Sequence, residues 1–150
     1  MYNFIVRRQP KSFNSWRNAT YSSKESYKAD IKTSFMQFHL EHKYLNEDLY
    51  GILYYFFKRD VKVDADNLSK PLWDCLAGFL FEDDKQVKIR TAGTFDLSKN
   101  DFNILDFSGL SGEIVIELLD AFEREEHIIY VECGYLNTSM FKFNIETNGN

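Results

Sequence analysis

The sequence has 150 residues, of which 44% are apolar, and a formal net charge of −5 at pH 7. This size and composition suit one globular domain with a packed core, and no run approaches the roughly 20 apolar residues that a membrane-spanning helix needs. The first ten residues show a short strand pattern followed by charges, unlike a signal peptide. We therefore expect a cytoplasmic protein without a membrane segment, folded as a single domain over residues 1–150.

The pattern of apolar residues predicts four strands and three helices. In chain order these are a strand over 2–8, a polar loop through 18, a helix over 24–39, a buried central strand over 49–57, a helix over 67–76, a strand over 86–94, an irregular stretch over 96–111, a helix over 114–125 and a strand over 127–135. Pro71 is expected in or near the first turn of the second helix, and Gly78 just after its end. A frayed tail is predicted after Asn144.

Helices and strands mix in this order without a strict βαβ alternation. The predicted class is therefore α+β, a two-layer domain in which helices pack on a mixed β-sheet.

Charge is distributed unevenly along the chain. Residues 1–43 carry a net +5, residues 44–95 a net −2, and residues 96–150 a net −8. A protein with this distribution can present one positive face to a phosphate backbone despite its negative total. Ordinary variation of the surface explains the same asymmetry equally well.

Acidic residues are concentrated between positions 64 and 84. Asp64 and Asp66 are two residues apart, so in extended chain their side chains point to the same side. Asp66, Lys70 and Asp74 are spaced i, i+4 and i+8, which places them on one face of the predicted helix. Asp84 follows on a turn before the next strand. If that strand lies beside the helix entrance, several carboxylates converge around one lysine.

Carboxylates gathered in this way repel one another unless a cation neutralises them. Carboxylate oxygens without a His/Cys set favour Mg²⁺, with Mn²⁺ as a possible substitute, over zinc. A bound Mg²⁺ supplies the chemistry of phosphodiester hydrolysis, because it polarises the phosphoryl oxygen and activates water. A neighbouring lysine can hold the scissile phosphate or stabilise charge in the transition state.

Two simpler interpretations of the same residues stay open. Asp66 or Asn67 could be only a helix N-cap. Asp66 and Lys70 could form a solvent-facing pair worth a few tenths of a kcal/mol. An EF-hand calcium loop is excluded, because Ser69 stands where that loop needs glycine.

The motif as a whole resembles the signature of the RusA family of Holliday-junction resolvases. It reads D-x-D-N-L-x-K-P-L-x-D-x-L-x-G over residues 64–78, followed by E-D-D-x-Q-V over 82–87. Residues 10–14 (PKSFN) also resemble a Pro-Ser-Asn loop that follows the first strand in these proteins. The resemblance is strong over about 60–90, and a divergent excursion is expected at about 96–126.

This resemblance implies a RusA-like fold and a Mg²⁺-dependent, structure-specific DNA endonuclease. Such an enzyme resolves four-way DNA junctions by paired phosphodiester hydrolysis in recombination and repair, and it acts as a homodimer. The resemblance further implies that Asp64, Asp66 and Asp84 bind the catalytic metal and that Lys70 is the catalytic lysine. Four more residues match recurrent positions and are expected to have supporting roles: Asn67, Asp74, Asp83 and Gln86.

Basic residues outside the motif are candidate DNA contacts. They fall into three groups: Arg7, Arg8, Lys11 and Arg17 near the first strand, Lys24, Lys28 and Lys32 along one helical face, and Lys58, Arg59 and Lys62 before the first aspartate. Phe13 and Trp16 lie among the first group and could stack on bases, although a solvated basic loop is an equally good interpretation. The acidic C-terminal third would repel DNA, so it must face away from DNA or regulate access.

Three other functions stay open. The acidic C-terminal third favours a non-catalytic DNA- or protein-binding relative of the family. A nuclease acting on flaps or forks, or a protein that buffers metal or has a structural role, is also consistent with the sequence.

Overall fold

The computed structural model of the chain describes residues 1–99 and 104–140. The predicted frayed tail and residues 100–103 of the predicted excursion lie outside this range. Helices and strands follow in the order β1 (Tyr2–Val6), α1 (Phe13–Arg17), α2 (Tyr21–Phe38), β2 (Leu49–Phe57), α3 (Asp66–Leu76), β3 (Val87–Asp96), α4 (Gly112–Arg124) and β4 (His127–Tyr135). Within the described ranges, short 3-10 turns lie at Asp84–Gln86, Leu97–Lys99 and Thr138–Met140.

The four strands form one mixed sheet in the order β1-β4-β2-β3. Strand β4 pairs antiparallel with both β1 and β2, whereas β2 and β3 are parallel. Helix α3 makes the crossover between the two parallel strands, so the acidic motif lies on this connection. The α+β class and the mixed sheet are confirmed, and β2 is an interior strand as its continuous apolar sequence predicted.

Helices cover both faces of the sheet. On one face, α2 and α3 bury Phe35 and Trp73 against strand residues such as Leu53. On the other face, α4 packs Leu118 and Phe122 against the sheet. Helix α4 thus adds a third layer to the two that were predicted, because its own apolar stripe needs a surface to bury against. Among the described residues, no helix is long and apolar enough to cross a membrane.

The loop predicted before residue 18 contains a short helix, α1, so this prediction was wrong. Ser12 caps the helix by accepting a hydrogen bond from the backbone N–H of Ser15 at 3.2 Å, as serine commonly does. Trp16 then anchors it, with 8% of its surface exposed. Helix α2 likewise begins earlier than predicted, at Tyr21, because Thr20 caps it.

The end of α3 matches the prediction better than its start. Gly78 follows the helix with φ of +78°, a backbone conformation that glycine adopts without strain. Pro71 lies in the second turn, not in the first, and is buried. The start of the helix is closed by short i→i−3 hydrogen bonds, from Asn67 to Asp64 and from Leu68 to Ala65, each 3.1 Å long. Helix α3 therefore begins one residue before the predicted start.

Candidate active site

The centre of the candidate site is an ion-pair network around Asp84. The Lys70 Nζ atom, on α3, lies 2.6 Å from Asp74 Oδ1 and 2.8 Å from Asp84 Oδ2. The Arg90 guanidinium, on β3, donates to the same Asp84 oxygen at 3.1 Å. The helix, the turn and the strand are thus tied together by two cations that share one carboxylate. The network contains Lys70, Asp74 and Asp84 from the predicted site.

Neighbouring elements position the members of this network. Trp16 donates its indole N–H to Asp74 Oδ2 at 3.2 Å, which connects α1 to α3. The turn that carries Asp84 is held by a capping box, in which Asp83 accepts from the Lys85 N–H at 2.8 Å and Gln86 accepts from the Asp83 N–H at 3.1 Å. These contacts show how Asp74, Asp83 and Gln86 can support the site.

The network shifts the ionisation of its two central groups. Partial burial works against the charged form of Asp84, but hydrogen bonds from Lys70 and Arg90 outweigh it and hold the pKa of Asp84 below its usual range. Partial burial likewise opposes the charge of Lys70, and the hydrogen bonds to Asp74 and Asp84 raise the pKa of Lys70 above its usual value. Both groups are therefore charged at neutral pH.

We expect this pairing to make folding stability depend on acid pH. Because the pKa of Asp84 is lower in the folded than in the unfolded protein, Asp84 stabilises the fold at pH values above its unfolded pKa of about 3.9. This contribution is lost as the pH falls through the folded-state pKa. Urea denaturation should show a smaller loss of stability between pH 5 and pH 2 in Asp84→Asn than in the parent. An equal loss in both proteins would contradict the pairing.

Asp64 and Asp66 lie at the entrance of α3 and are both exposed. The residue that caps this helix is Ala65, and no side chain caps it, so the interpretation of Asp66 or Asn67 as the N-cap is wrong. The described ion pairs of Lys70 are with Asp74 and Asp84, which also disfavours a simple Asp66–Lys70 surface pair. Asn67 occupies the second position of the helix.

The predicted convergence of carboxylates on one ion is not seen in this structure. Across residues 1–99 and 104–140, no three carboxylate, imidazole or thiol groups are arranged to hold a metal ion. Asp84 is instead neutralised by Lys70 and Arg90. The residues as placed therefore do not fit a bound divalent cation, and the ligand set Asp64, Asp66 and Asp84 stays a prediction.

Arg90 and the buried contact of Trp16 were not predicted. Arg90 lies six residues after Asp84 on β3, a strand that also carries Lys88, so no sequence signal distinguished it. Trp16 was a candidate for stacking on bases, with an anchoring role in a solvated loop as the equal alternative. It is buried and bonded to Asp74, so it is not available for stacking. Phe13, in the same helix, is 40% exposed and stays a candidate for stacking on bases.

Several predicted DNA contacts are already engaged within the protein. Arg7 pairs with Glu117 and Asp120 of α4, at 3.1 and 2.8 Å. Arg8 pairs with Asp30 at 2.5 Å and lies over the ring of Tyr27. Arg7 in particular is directed toward the acidic helix and away from α3, since the two helices lie on opposite faces of the sheet.

Other basic candidates lie nearer the network. Lys24 and Lys32 lie over the rings of Trp16 and Phe79, each with Nζ 5.5 Å from the ring centroid. This places their side of α2 next to α1 and α3. Lys28, between them, has its Nζ atom 3.7 Å from Glu25 Oε1.

The remaining basic candidates differ in exposure and contacts. Lys11 is partly exposed, and Arg17, Arg59 and Lys62 are exposed. Lys58 donates from Nζ to the Glu123 carbonyl at 3.1 Å.

The acidic part of the chain lies away from the network, at least where it is described. Helix α4 carries Glu113, Glu117, Asp120 and Glu123 and packs on the sheet face opposite to α3. The expectation that the acidic third faces away from DNA or regulates access to it stays a prediction.

These features define an α+β protein whose polar site is built on the crossover between two parallel strands. A family model described as "Endodeoxyribonuclease RusA" matches residues 5–101, more than half of the chain. The chain therefore belongs to the RusA endodeoxyribonuclease family. The match begins near the end of β1 and includes β2, β3 and the whole network around Asp84. No curated protein gives a significant match.

Proposed function

We propose that this protein is an endodeoxyribonuclease that cleaves branched DNA, with the four-way junction as its substrate. The observation that carries the proposal is the Lys70–Asp84 pair, 2.8 Å between Nζ and Oδ2, inside the stretch that matches the family. The cation is 43% exposed and the carboxylate 16% exposed. Lys70 is thus reachable by a phosphate, whereas Asp84 is held in a fixed position beside it.

Within this proposal, Lys70 binds the scissile phosphate and stabilises the negative charge that develops on it. Mg²⁺ dependence, with Mn²⁺ as a substitute and Asp64, Asp66 and Asp84 as ligands, is part of the proposal and rests on the family resemblance. When bound, the ion would supply water activation and charge stabilisation. The lysines along α2, a helix that packs against α3, are candidates to follow the phosphate backbone.

Resolution of a four-way junction needs two symmetric cuts. A homodimer with two sites related by a twofold axis provides them, so a dimer is part of the proposal. Roles in recombination and repair, and a cytoplasmic location, are parts of the same proposal.

A second candidate is a relative that binds branched DNA without cutting it. It is favoured by the neutralisation of Asp84 by two cations, and by the finding that no metal-holding group of three side chains occurs in the described ranges. In this case junction affinity would be kept and turnover lost.

A substrate panel with Mg²⁺ separates these functions. We expect the parent protein to nick a four-way junction in two strands, and to cut flaps, forks and linear duplex at least about tenfold more slowly. Binding is measured in parallel by fluorescence anisotropy. Junction binding without any nick would select the non-catalytic relative, and preferred cutting of flaps or forks would replace the junction as the substrate. A protein that neither binds nor cuts any of these DNAs would overturn both candidates.

A further inference from the structure

A cavity of about 460 Å³ lies on the α4 face of the sheet, which is the face opposite to α3. Strand residues, Leu118 of α4 and a segment within residues 104–110 enclose it. Five aromatic side chains contribute to its lining: Tyr54 and Phe56 of β2, Phe95 of β3, Phe107, and Tyr130 of β4. Small-molecule sites commonly have a volume of about 300–1,000 Å³ and a mostly apolar lining with a few placed polar groups.

Glu132 places a carboxylate within this apolar lining. In the sheet, Glu132 of β4 is in register with Ile52 of β2, and Tyr130 is in register with Tyr54. Because side chains alternate along a strand, Tyr130 and Glu132 point to the same face. The carboxylate accepts from the Tyr50 hydroxyl at 2.8 Å and from the Tyr130 hydroxyl at 2.6 Å. These two hydrogen bonds hold the Glu132 side chain in a fixed orientation.

The charge of Glu132 is not neutralised by its described neighbours. In the part of the chain that the structure describes, the partners of Glu132 are the two tyrosine hydroxyls and not cations. Burial and the hydrogen bond to Glu132 raise the pKa of Tyr50 and of Tyr130, so both hydroxyls stay protonated at neutral pH. A carboxylate has about four acceptor positions. About two of them therefore remain for a ligand.

The surroundings of the cavity also favour a positive ligand. Residues 104–140 carry eight acidic residues and one basic residue, a net −7. Asp106 belongs to the lining, and hydrogen bonds from Ser108 hold the pKa of Asp106 below its usual range. The faces of aromatic rings attract cations as well. An anionic ligand would instead be repelled by these carboxylates.

We propose that this cavity binds a small organic cation, an ammonium group carried on an apolar or aromatic body. The ammonium pairs with Glu132, and the body packs against the rings of Tyr54 and Phe95 and against Leu118. The rings of Tyr54 and Phe95 already meet edge-on, with their centroids 5.5 Å apart, so they present a preformed aromatic surface. This site goes beyond the proposed nuclease function and does not rest on it.

The test titrates the ¹⁵N-labelled full chain with phenethylammonium and follows the backbone amide chemical shifts. We expect saturable binding with a dissociation constant of about 1 mM, the scale for so small a ligand. The largest shifts should occur at Ile52, Leu118 and Glu132. Phenethyl alcohol has the same ring without the charge and should bind at least about tenfold more weakly. Phenylacetate, an anion, should show no binding.

Two variants test the role of the charge. Glu132→Gln keeps the shape of the side chain and an acceptor for the tyrosines, and it should bind phenethylammonium at least about tenfold more weakly than the parent. Its affinity for phenethyl alcohol should stay within about twofold. Glu123→Gln is the matched control, because it removes an exposed carboxylate of α4 that is not in the lining. It should bind phenethylammonium as the parent does.

A third variant tests the rings if Glu132→Gln fails to fold. Tyr54→Leu keeps an apolar side chain but removes the aromatic face, and it should weaken phenethylammonium binding about three- to fivefold. Unchanged affinity in folded Glu132→Gln, or in Tyr54→Leu, would overturn the proposal. Equal affinity of the parent for the ammonium and the alcohol would do the same, and so would shifts confined to residues outside the cavity.

Failure of this proposal can be told apart from failure of the proposed function. The titrations contain no DNA, and the cavity lies on the opposite face of the sheet from the Asp84 network. A parent protein that cuts junctions but shows no preference for the ammonium keeps the nuclease and loses the cation site. A parent that binds phenethylammonium through Glu132 but neither binds nor cuts junctions keeps the cation site alone.

Discussion

Replacing Lys70 with methionine should slow cleavage of a four-way junction at least about 100-fold, the scale expected when a charge-stabilising donor is removed from an active site. Methionine keeps much of the side-chain length but removes the cation that lies between Asp74 and Asp84 at 2.6 and 2.8 Å. The measurement is the single-turnover rate with saturating protein, which separates chemistry from DNA binding.

Two further variants make the Lys70 result specific. Lys70→Arg keeps the charge and should retain more activity than Lys70→Met, although arginine bonds phosphate with a different geometry. Lys88→Met removes an exposed lysine of β3 whose described ion pair is with Asp48, 3.9 Å away, and should cut at the parent rate. Cleavage by Lys70→Met at the parent rate would show that this lysine has no part in the chemistry.

Trp73→Ala should destabilise the protein by about 3–5 kcal/mol, the usual cost of deleting a fully buried large side chain. Trp73 is 0% exposed, and its indole N–H donates to Ser69 Oγ at 2.9 Å. The ring lies so close to β2 that a Cβ atom at Gly51 would be 2.3 Å from its Cζ2 atom. The alanine variant therefore leaves a cavity between the sheet and the helix that carries Lys70.

Urea denaturation monitored by circular dichroism measures the effect of Trp73→Ala. Ser69→Ala is the matched control, because it removes only the hydrogen-bond partner of the indole. It should lower the free energy of unfolding by at most about 1–3 kcal/mol. A loss below about 1 kcal/mol in Trp73→Ala would mean that α3 does not depend on this contact.

The regular elements were predictable where apolar runs were long. Strands β2 and β4 match the predicted bounds of 49–57 and 127–135, because each is a run of strand length dominated by apolar residues. Helix α1 was missed, since five residues give too little periodicity and its stability comes from the burial of Trp16. The third layer was missed for a related reason: the stripe of α4 indicates an apolar partner but not which face of the sheet provides it.

The site was predictable as a segment but not as a set of contacts. Spacing placed Lys70 and Asp74 on one face of α3, and the structure pairs them. The approach of Arg90 to Asp84 depends on the 3-10 turn between them, which no simple period encodes. Arg7 was a candidate DNA contact, yet it pairs with residues 110 and 113 positions away, among others, and pairing at such separation depends on the tertiary fold.

Paired nicking of a four-way junction by the parent protein and by Asp84→Asn, side by side in Mg²⁺, tests the central claim most directly. Asparagine preserves the shape of the side chain and removes the charge that Lys70 and Arg90 share. We expect the parent to cut two strands and Asp84→Asn to be at least about 100-fold slower, with Glu82→Gln, an exposed neighbour, at the parent rate. Equal cutting by Asp84→Asn and the parent would contradict an active site centred on Asp84.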